Sequence, residues 1–485
     1  MALGINRFVF HTSDHQPFVD DQHKPGMTLG FFGQHYTRNT TYAEQAIAWN
    51  TYLARASYLL QQGQFVGDVA YFYGEGAPAT VPFWKPVNPL PPQGYGYDWV
   101  NADVLLNRMS VEQGRLALAS GMSYRVLVLP DYVNQVTLPV LRKLRDLVSA
   151  GAIVIAPRPA HSPSLADYAN QAEFRSIVNE VWGSVDGRGA NEHNYGKGKI
   201  YWGRPAEEIL AGEKVSPDFE YNRPESDSEL VWIHRRDGDT DIYFVANQKE
   251  RSEDVKTSFR VEGKEAELWH PDTGVVEPAE YEISNGRTQV TLSLDPVGSV
   301  FVVFHNKAAA PSRTLPHPAR KELATVSGSW QVSFPPDWGA PQQVRFDNLI
   351  SWTNYPDEGV KYFSGTATYV KDINAPQEWF EPGKKLMLDL GTVKEIAEVS
   401  VNGKPVGGIL WKPPFQTDVT SALKPGSNHI EVKVTNLWPN RIIGDRQPNA
   451  TKKYAWLDYK PFRADTPLLE SGLLGPVKLS TVSLQ

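Results

Sequence analysis

Arg125-Val126-Leu127-Val128-Leu129-Pro130, the stretch 137–151, and Ala152-Ile153-Val154-Ile155-Ala156 together decide the fold class. The first and last are short apolar runs rich in β-branched residues, the pattern of strands buried on both faces. Between them Leu141, Leu144, Leu147 and Val148 fall on one face of a helix, with Thr137 as its cap and Gly151 as its stop. Strand, helix and strand this close in sequence form the right-handed crossover of a parallel sheet. A further amphipathic helix is expected over 164–182. Residues 96–190 therefore read as an α/β domain of the flavodoxin-like kind.

Upstream, Gly4-Ile5-Asn6-Arg7-Phe8-Val9-Phe10 reads as a strand, followed by a polar loop over 11–34. The capping box Thr41-x-x-Glu44 opens a helix on which Ala46, Trp49, Leu53, Ala56 and Leu60 keep helical spacing, and Gly63 ends it. Residues 65–73 form a second strand, broken by Gly74-Glu75-Gly76, and the prolines of 78–92 mark a linker. A closed (β/α)-barrel needs about eight strands. Residues 1–95 thus read as a partial (β/α)-barrel segment, an incomplete barrel tail. Its open edges call for cover by another domain or subunit, or for a longer parent chain.

Downstream the period switches to two. Val231-Trp232-Ile233 and Asp241-Ile242-Tyr243-Phe244-Val245 flank the turn signal Asp237-Gly238, and Asn285-Gly286 precedes another run. Residues 191–310 read as a β-sandwich, and Lys307 begins a linker rich in Ala and Pro. Residues 320–485 are again all-β, with Leu386-Met387-Leu388-Asp389-Leu390 and the turn Asn402-Gly403 at sandwich-like spacing. The fold class is multidomain, α/β plus all-β.

Composition narrows the function. The 485 residues carry 55 acidic and 48 basic side chains, a net charge of −7, with no block of like charge. Nucleic-acid binding, which needs a concentrated basic face, is not expected. No apolar run has the length of a membrane span, and Met1-Ala2-Leu3-Gly4 does not begin a signal peptide, so no membrane partner is expected and the chain as it stands reads as cytoplasmic, although a full-length parent could be exported. The absence of cysteine excludes thiol catalysis and disulfides. Dinucleotide and Walker fingerprints are absent, and no cofactor or metal is expected. Fourteen Trp and 21 Tyr supply platforms suited to sugar rings, beside their ordinary place in cores.

Gly4-Ile5-Asn6-Arg7-Phe8-Val9-Phe10-His11 with His15-Gln16-Pro17, Pro25-Gly26-Met27 and Gly33-Gln34-His35-Tyr36-x-Arg38-Asn39 resembles the final barrel strands of glycoside hydrolase family 106, the bacterial α-L-rhamnosidases. The resemblance continues through Asp68-Val69-Ala70-Tyr71-Phe72 and Glu267-Leu268-Trp269-x-Pro271. Asn436-x-Trp438-x-Asn440-Arg441-x-x-Gly444-Asp445 and Gly472-Leu473-Leu474-Gly475-Pro476 resemble the galactose-binding-like jelly roll found also in family 2 glycosidases. The resemblance implies an exo-acting hydrolase of terminal sugars acting on a glycoside, an oligosaccharide or a polysaccharide. Family 106 chains are about twice this length, and their earlier strands carry the carboxylates implicated in catalysis, which have no counterpart here. The module order is also similar to family 42 β-galactosidases, which implies a homo-oligomer, a trimer, built through the α/β domain.

Glycoside hydrolysis normally uses two carboxyl groups. Glu75, between two glycines past the second strand, and Asp14, in the loop after the first, stand where a barrel enzyme places catalytic groups. Each is equally a loop or turn residue with a solvated charge. His11, His15 and His35 suit sugar hydroxyls, Tyr36 a ring face, and Arg38 an acid group. Trp438, Asn440, Arg441 and Asp445 are expected to brace a loop more than to bind sugar, and Asp68 to start a strand or form a salt bridge. Three readings follow: an α-L-rhamnosidase-like glycosidase, a β-galactosidase or β-glucosidase-like one, and a non-catalytic carbohydrate-binding remnant.

Overall fold

A computed structural model describes residues 1–32, 35–76, 80–82 and 86–484. The chain divides into two compact units, the first comprising 1–4, 58–270 and 275–314, the second 5–57, 271–274 and 315–485.

The first unit contains a six-stranded sheet. In chain order its parallel strands are Val69–Phe72, Tyr97–Val100, Val126–Val128, Ile153–Ile155 and Gly198–Tyr201, and they lie side by side as second, first, third, fourth and fifth. Glu192–Tyr195 adds an antiparallel edge. Side chains alternate across the sheet, as the two-residue strand period requires. Ala70, Phe72, Leu127 and Val154 pack under the helices Leu138–Ala150 and Gln171–Trp182. Val69, Tyr71, Val126 and Val128 face the opposite way, onto the helix Ala206–Gly212.

The structure departs from these expectations in several places. The run 4–10 forms no strand: among the described residues no strand pairs with it, and Val9 is 91% exposed, so its apolar side chains find no face to bury. No closed barrel is present among the described residues. The expected second strand splits at Gly67 and Asp68, so Gln64–Phe65 joins a β-sheet while Val69–Phe72 enters the parallel sheet, rather than a barrel tail. Two strands near 192–201 likewise extend that sheet past residue 190. The linker expected over 78–92 lies partly outside the described residues.

The first unit also stacks two antiparallel sheets around Phe219, Tyr243, Phe259, Val302 and Phe304. Leu230–Asp237 turns at Gly238 into Thr240–Asn247, as the Asp-Gly signal predicts. Asn285 and Gly286 both adopt positive φ in the two-residue turn between Ser284 and Arg287, the geometry that Asn-Gly favours. Asp68 meets Arg260 at 2.8 Å, the ion pair expected of it.

In the second unit, a six-stranded sheet centred on Thr366–Ala375 and Gly426–Thr435 faces a four-stranded sheet through Trp330, Tyr369, Leu388 and Val432. Gly472 sits at φ +100°, where a Cβ would come within 2.5 Å of Trp352 Nε1, so the glycine opening its motif lets the backbone pass the core indole. The helix Ala46–Leu60 forms as its spacing predicts, but without the capping box: Thr41 Oγ1 is buried and has no hydrogen-bond partner.

Candidate functional site

Glu75 lies in the first unit, at the carboxyl end of Val69–Phe72, where the strand order reverses. That position is the usual ligand crevice of open α/β sheets. Both carboxylate oxygens are nonetheless engaged: Thr137 donates its backbone N–H to Oε2 and its hydroxyl to Oε1, each at 2.8 Å. Leu138 donates its N–H to Asp167 Oδ2 at 2.8 Å. The free N–H groups opening the helix 138–150 are thus met by two carboxylates, which also suit its positive dipole end. Thr137 does not cap the helix with its own side chain, as its place in the sequence suggests; its hydroxyl is spent on Glu75.

Asp14 lies in the second unit, so the two expected carboxylates belong to different units. Its side chain is 7% exposed and stands 3.5 Å from His35 Nδ1. His11 and His15 are exposed and hydrogen-bond to nothing among the described residues. Tyr36 stacks on Phe10 with ring centroids 5.0 Å apart and donates its hydroxyl to Asn50 Oδ1 at 2.5 Å. One face of that ring is therefore taken. Arg38 donates to the carbonyls of Gln16 (2.8 Å) and Phe18 (2.9 Å), so it holds the loop backbone rather than waiting for an acid group. Gly33 and Gln34 of the same motif lie outside the described residues.

The loop 11–39 is held by residues that sequence reasoning did not select. Gln16 donates to the carbonyl of Met27 and accepts its N–H, at 2.7 and 3.1 Å. Gly26, at φ +102°, makes room: a Cβ there would overlap Gln16 Oε1 at 1.9 Å. Pro25–Gly26 pairs in parallel with Trp456–Leu457, and Asp458 Oδ1 accepts from the N–H and hydroxyl of Thr28. Phe18 stacks on His23 at 3.9 Å, with Trp456 edge-on to both. His23 donates to Asp20 and holds its carboxyl below the usual carboxylate range.

These supports lead back to the motif at 436–445. Asp445 Oδ2 accepts the N–H groups of Tyr454 (2.8 Å) and Ala455 (2.6 Å), which sets the segment carrying Trp456. Arg441 pairs with Asp445 at 3.0 Å, and its guanidinium lies 4.8 Å from the ring centre of Tyr454. Asn440 spans to Leu469 and Ser471. Trp438 donates its indole N–H to the carbonyl of Asn39 at 2.8 Å. The motif braces, as expected of its Arg–Asp pair, and what it braces is the histidine-bearing loop. The signal lay in the Gln16 and Asn39 of the quoted motifs, whose short amides suit backbone pinning. Among the described residues no group of three or more His, Asp or Glu side chains is arranged to hold a metal ion.

Comparison with known proteins adds an identity to this geometry. A family model described as alpha-L-rhamnosidase, that of glycoside hydrolase family 106, matches residues 1–283. The solved rhamnosidase from Novosphingobium sp. PP1Y is 39% identical, with a TM-score of 0.86 over 99% of this chain and 45% of that one. A protein of Formosa agariphila carrying the name "Putative beta-glucuronidase" is 27% identical over 99% of this chain and 60% of its own length. The chain thus spans less than two thirds of either relative.

Proposed function

Since the chain belongs to glycoside hydrolase family 106, we propose that it acts as an exo-glycosidase on terminal sugars, α-L-rhamnosidase-like, with the loop 11–39 as its sugar-contacting face. The observation that carries this reading is the loop's construction. A nearly buried carboxylate, Asp14, is paired with His35 in the loop that also carries the exposed His11 and His15, on a backbone pinned from several sides. A preorganised loop of this kind holds acid, base and hydrogen-bonding groups at fixed places, which is what transition-state binding needs. In this reading Asp14 is the carboxyl group at the sugar, the three histidines and Tyr36 contact hydroxyls, and Arg38 positions the loop. Glu75 enters the chemistry only by releasing Thr137.

The architecture follows the same reading: a flavodoxin-like α/β layer, a β-sandwich and a galactose-binding-like jelly roll, with a homo-oligomer formed through the α/β layer. A second reading, carbohydrate binding without hydrolysis, is favoured by the engagement of both Glu75 oxygens, because hydrolysis normally draws on two carboxyls.

The test is a panel of nitrophenyl glycosides: α-L-rhamnoside, β-D-galactoside, β-D-glucoside and β-D-glucuronide. Release from the rhamnoside above the others supports the first reading. Silence throughout, with rhamnose still bound, supports the second.

A further inference from the structure

The first unit holds a cavity of about 340 Å³ at the carboxyl ends of Val126–Val128, Ile153–Ile155 and Gly198–Tyr201. Its floor is Leu129, Ile155 and Ala156, all essentially buried. Its rim carries Asp131, Glu207 and Arg204, and Trp202 forms part of the wall. Carboxyl ends of parallel strands are where open α/β sheets bind ligands, and this volume is near the small end of the ~300–1,000 Å³ typical of ligand sites. It suits one ring rather than a chain.

The rim chemistry narrows the ligand. Arg204 is already matched by Glu192 at 3.4 Å and Glu208 at 3.7 Å, so its charge is not free to balance an anion. Asp131 and Glu207 add two further negative charges, which repel phosphates and uronates. Asp131 is held toward the cavity by Asn88, whose side-chain amide donates to it and whose carbonyl takes the Asp131 N–H at 2.8 Å. Among the described residues Glu207 accepts only the Gln93 N–H, at 3.3 Å on Oε1, so its second oxygen can accept from a ligand. Carboxylate acceptors at the rim, an indole in the wall and an aliphatic floor together suit a ring with hydroxyls on its edge and C–H groups on its faces.

We propose that this cavity is a second site, separate from the loop 11–39, that binds one neutral monosaccharide. The choice of rhamnose as probe rests on the proposed function; the preference for a neutral ring rests on the rim alone.

The experiment titrates the full chain with L-rhamnose, D-glucose and D-glucuronate by calorimetry or saturation-transfer NMR, to about 10 mM, well above a Kd near 1 mM. It is repeated on Glu207→Gln, Asp131→Asn and, as the control for the loop, His15→Ala. The proposal expects a neutral sugar to bind with glucuronate at least about tenfold weaker. It expects Glu207→Gln and Asp131→Asn each to weaken neutral binding by a similar factor with circular dichroism unchanged, and His15→Ala to leave this site intact. Binding that survives both rim variants and disappears in His15→Ala overturns the second site and leaves the loop reading standing. Glucuronate binding as well as the neutral sugars, or no saturation by any of them, overturns it as well.

Discussion

The indole Nε1 of Trp438 donates to the carbonyl oxygen of Asn39 at 2.8 Å, across 399 positions of sequence. A motif near one end of the chain therefore fixes the histidine-bearing loop near the other, inside one compact unit. Asp445 works alongside it through Tyr454 and Ala455, which set Trp456 against Pro25, Phe18 and His23. The segment 436–458 of the second unit acts as the mould in which the candidate site sets.

Replacing Trp438 by Phe keeps most of the apolar contact and removes one donor. The Asn39 carbonyl then loses its partner, at a cost of about 1–3 kcal/mol if it stays buried. Amide exchange in 12–39 should quicken in Trp438→Phe while exchange in the parallel sheet of the first unit stays as in the wild type. Equal protection of the loop in both proteins would mean that the indole bond holds nothing.

Glu75→Gln removes a charge from the start of the helix Leu138–Ala150 and replaces one acceptor oxygen by an amide donor; with the remaining oxygen on the Thr137 N–H, the amide meets the Thr137 hydroxyl, which must then accept instead of donate. The expected loss is about 0.5–2 kcal/mol, seen as a lower unfolding midpoint and faster exchange in the first turn of that helix. This reverses what the Gly74-Glu75-Gly76 sequence suggests by itself, namely a freely solvated carboxylate whose change leaves stability alone. An unchanged midpoint with hydrolysis abolished would restore Glu75 as a catalytic group.

His234 is fully buried, with Asp218 on Nδ1 at 2.9 Å and Asp241 on Nε2 at 3.0 Å, and Tyr243 stacked on the ring. Burial alone would lower its pKa, but Asp218 and then Asp241 outweigh burial and raise it. Burial would likewise raise the two carboxyls, and His234, helped by Arg260 at Asp218 and by Lys264 and Arg236 at Asp241, lowers both. The raised imidazole contributes stability that is complete below its unfolded value, about 6.5, and is lost as pH rises through the higher folded value. The lowered carboxyls contribute stability present above about 3.9 and lost as pH falls through their folded values. The first unit should therefore be most resistant to urea between about pH 4 and 6.5. His234→Gln should lose about 1.5–3 kcal/mol near pH 5.5, because Asp218 and Asp241 each lose a charged hydrogen-bond partner while Arg260 stays at the first and Arg236 and Lys264 at the second, and it should lose less than the wild type does between pH 6 and 9. Parallel alkaline losses in the two proteins would show that His234 is neutral in the fold.

Much of the architecture is legible in local pattern. Val126–Val128, Ile153–Ile155 and the helix between them announce a buried crossover, and Asn285-Gly286 and Asn402-Gly403 announce hairpins, because strand period and turn chemistry are local properties. What escapes is long-range. The apolar run 4–10 has strand composition but no sheet edge among the described residues, and composition cannot supply a partner. Val69–Phe72 reads the same in a barrel or in a doubly wound sheet, and only its neighbours, Tyr97–Val100 and Val126–Val128, decide. Glu75 has its partner 62 residues away, so its neighbourhood of glycines reads as exposure. In the loop, side chains with reactive chemistry stand out in the sequence, whereas Gln16, Asn39, Asp458 and Trp456, which do the holding, do not, because what they hold lies far along the chain or in the backbone.

The most direct test of the account is the initial rate of nitrophenyl α-L-rhamnoside hydrolysis by the wild type and by Asp14→Asn, with the unfolding midpoint of each recorded. Release by the wild type is expected, with a fall of about 100-fold or more in the variant, the scale of a lost acid–base group, and a midpoint nearly unchanged. An Asp14→Asn protein that turns over at the wild-type rate would contradict it.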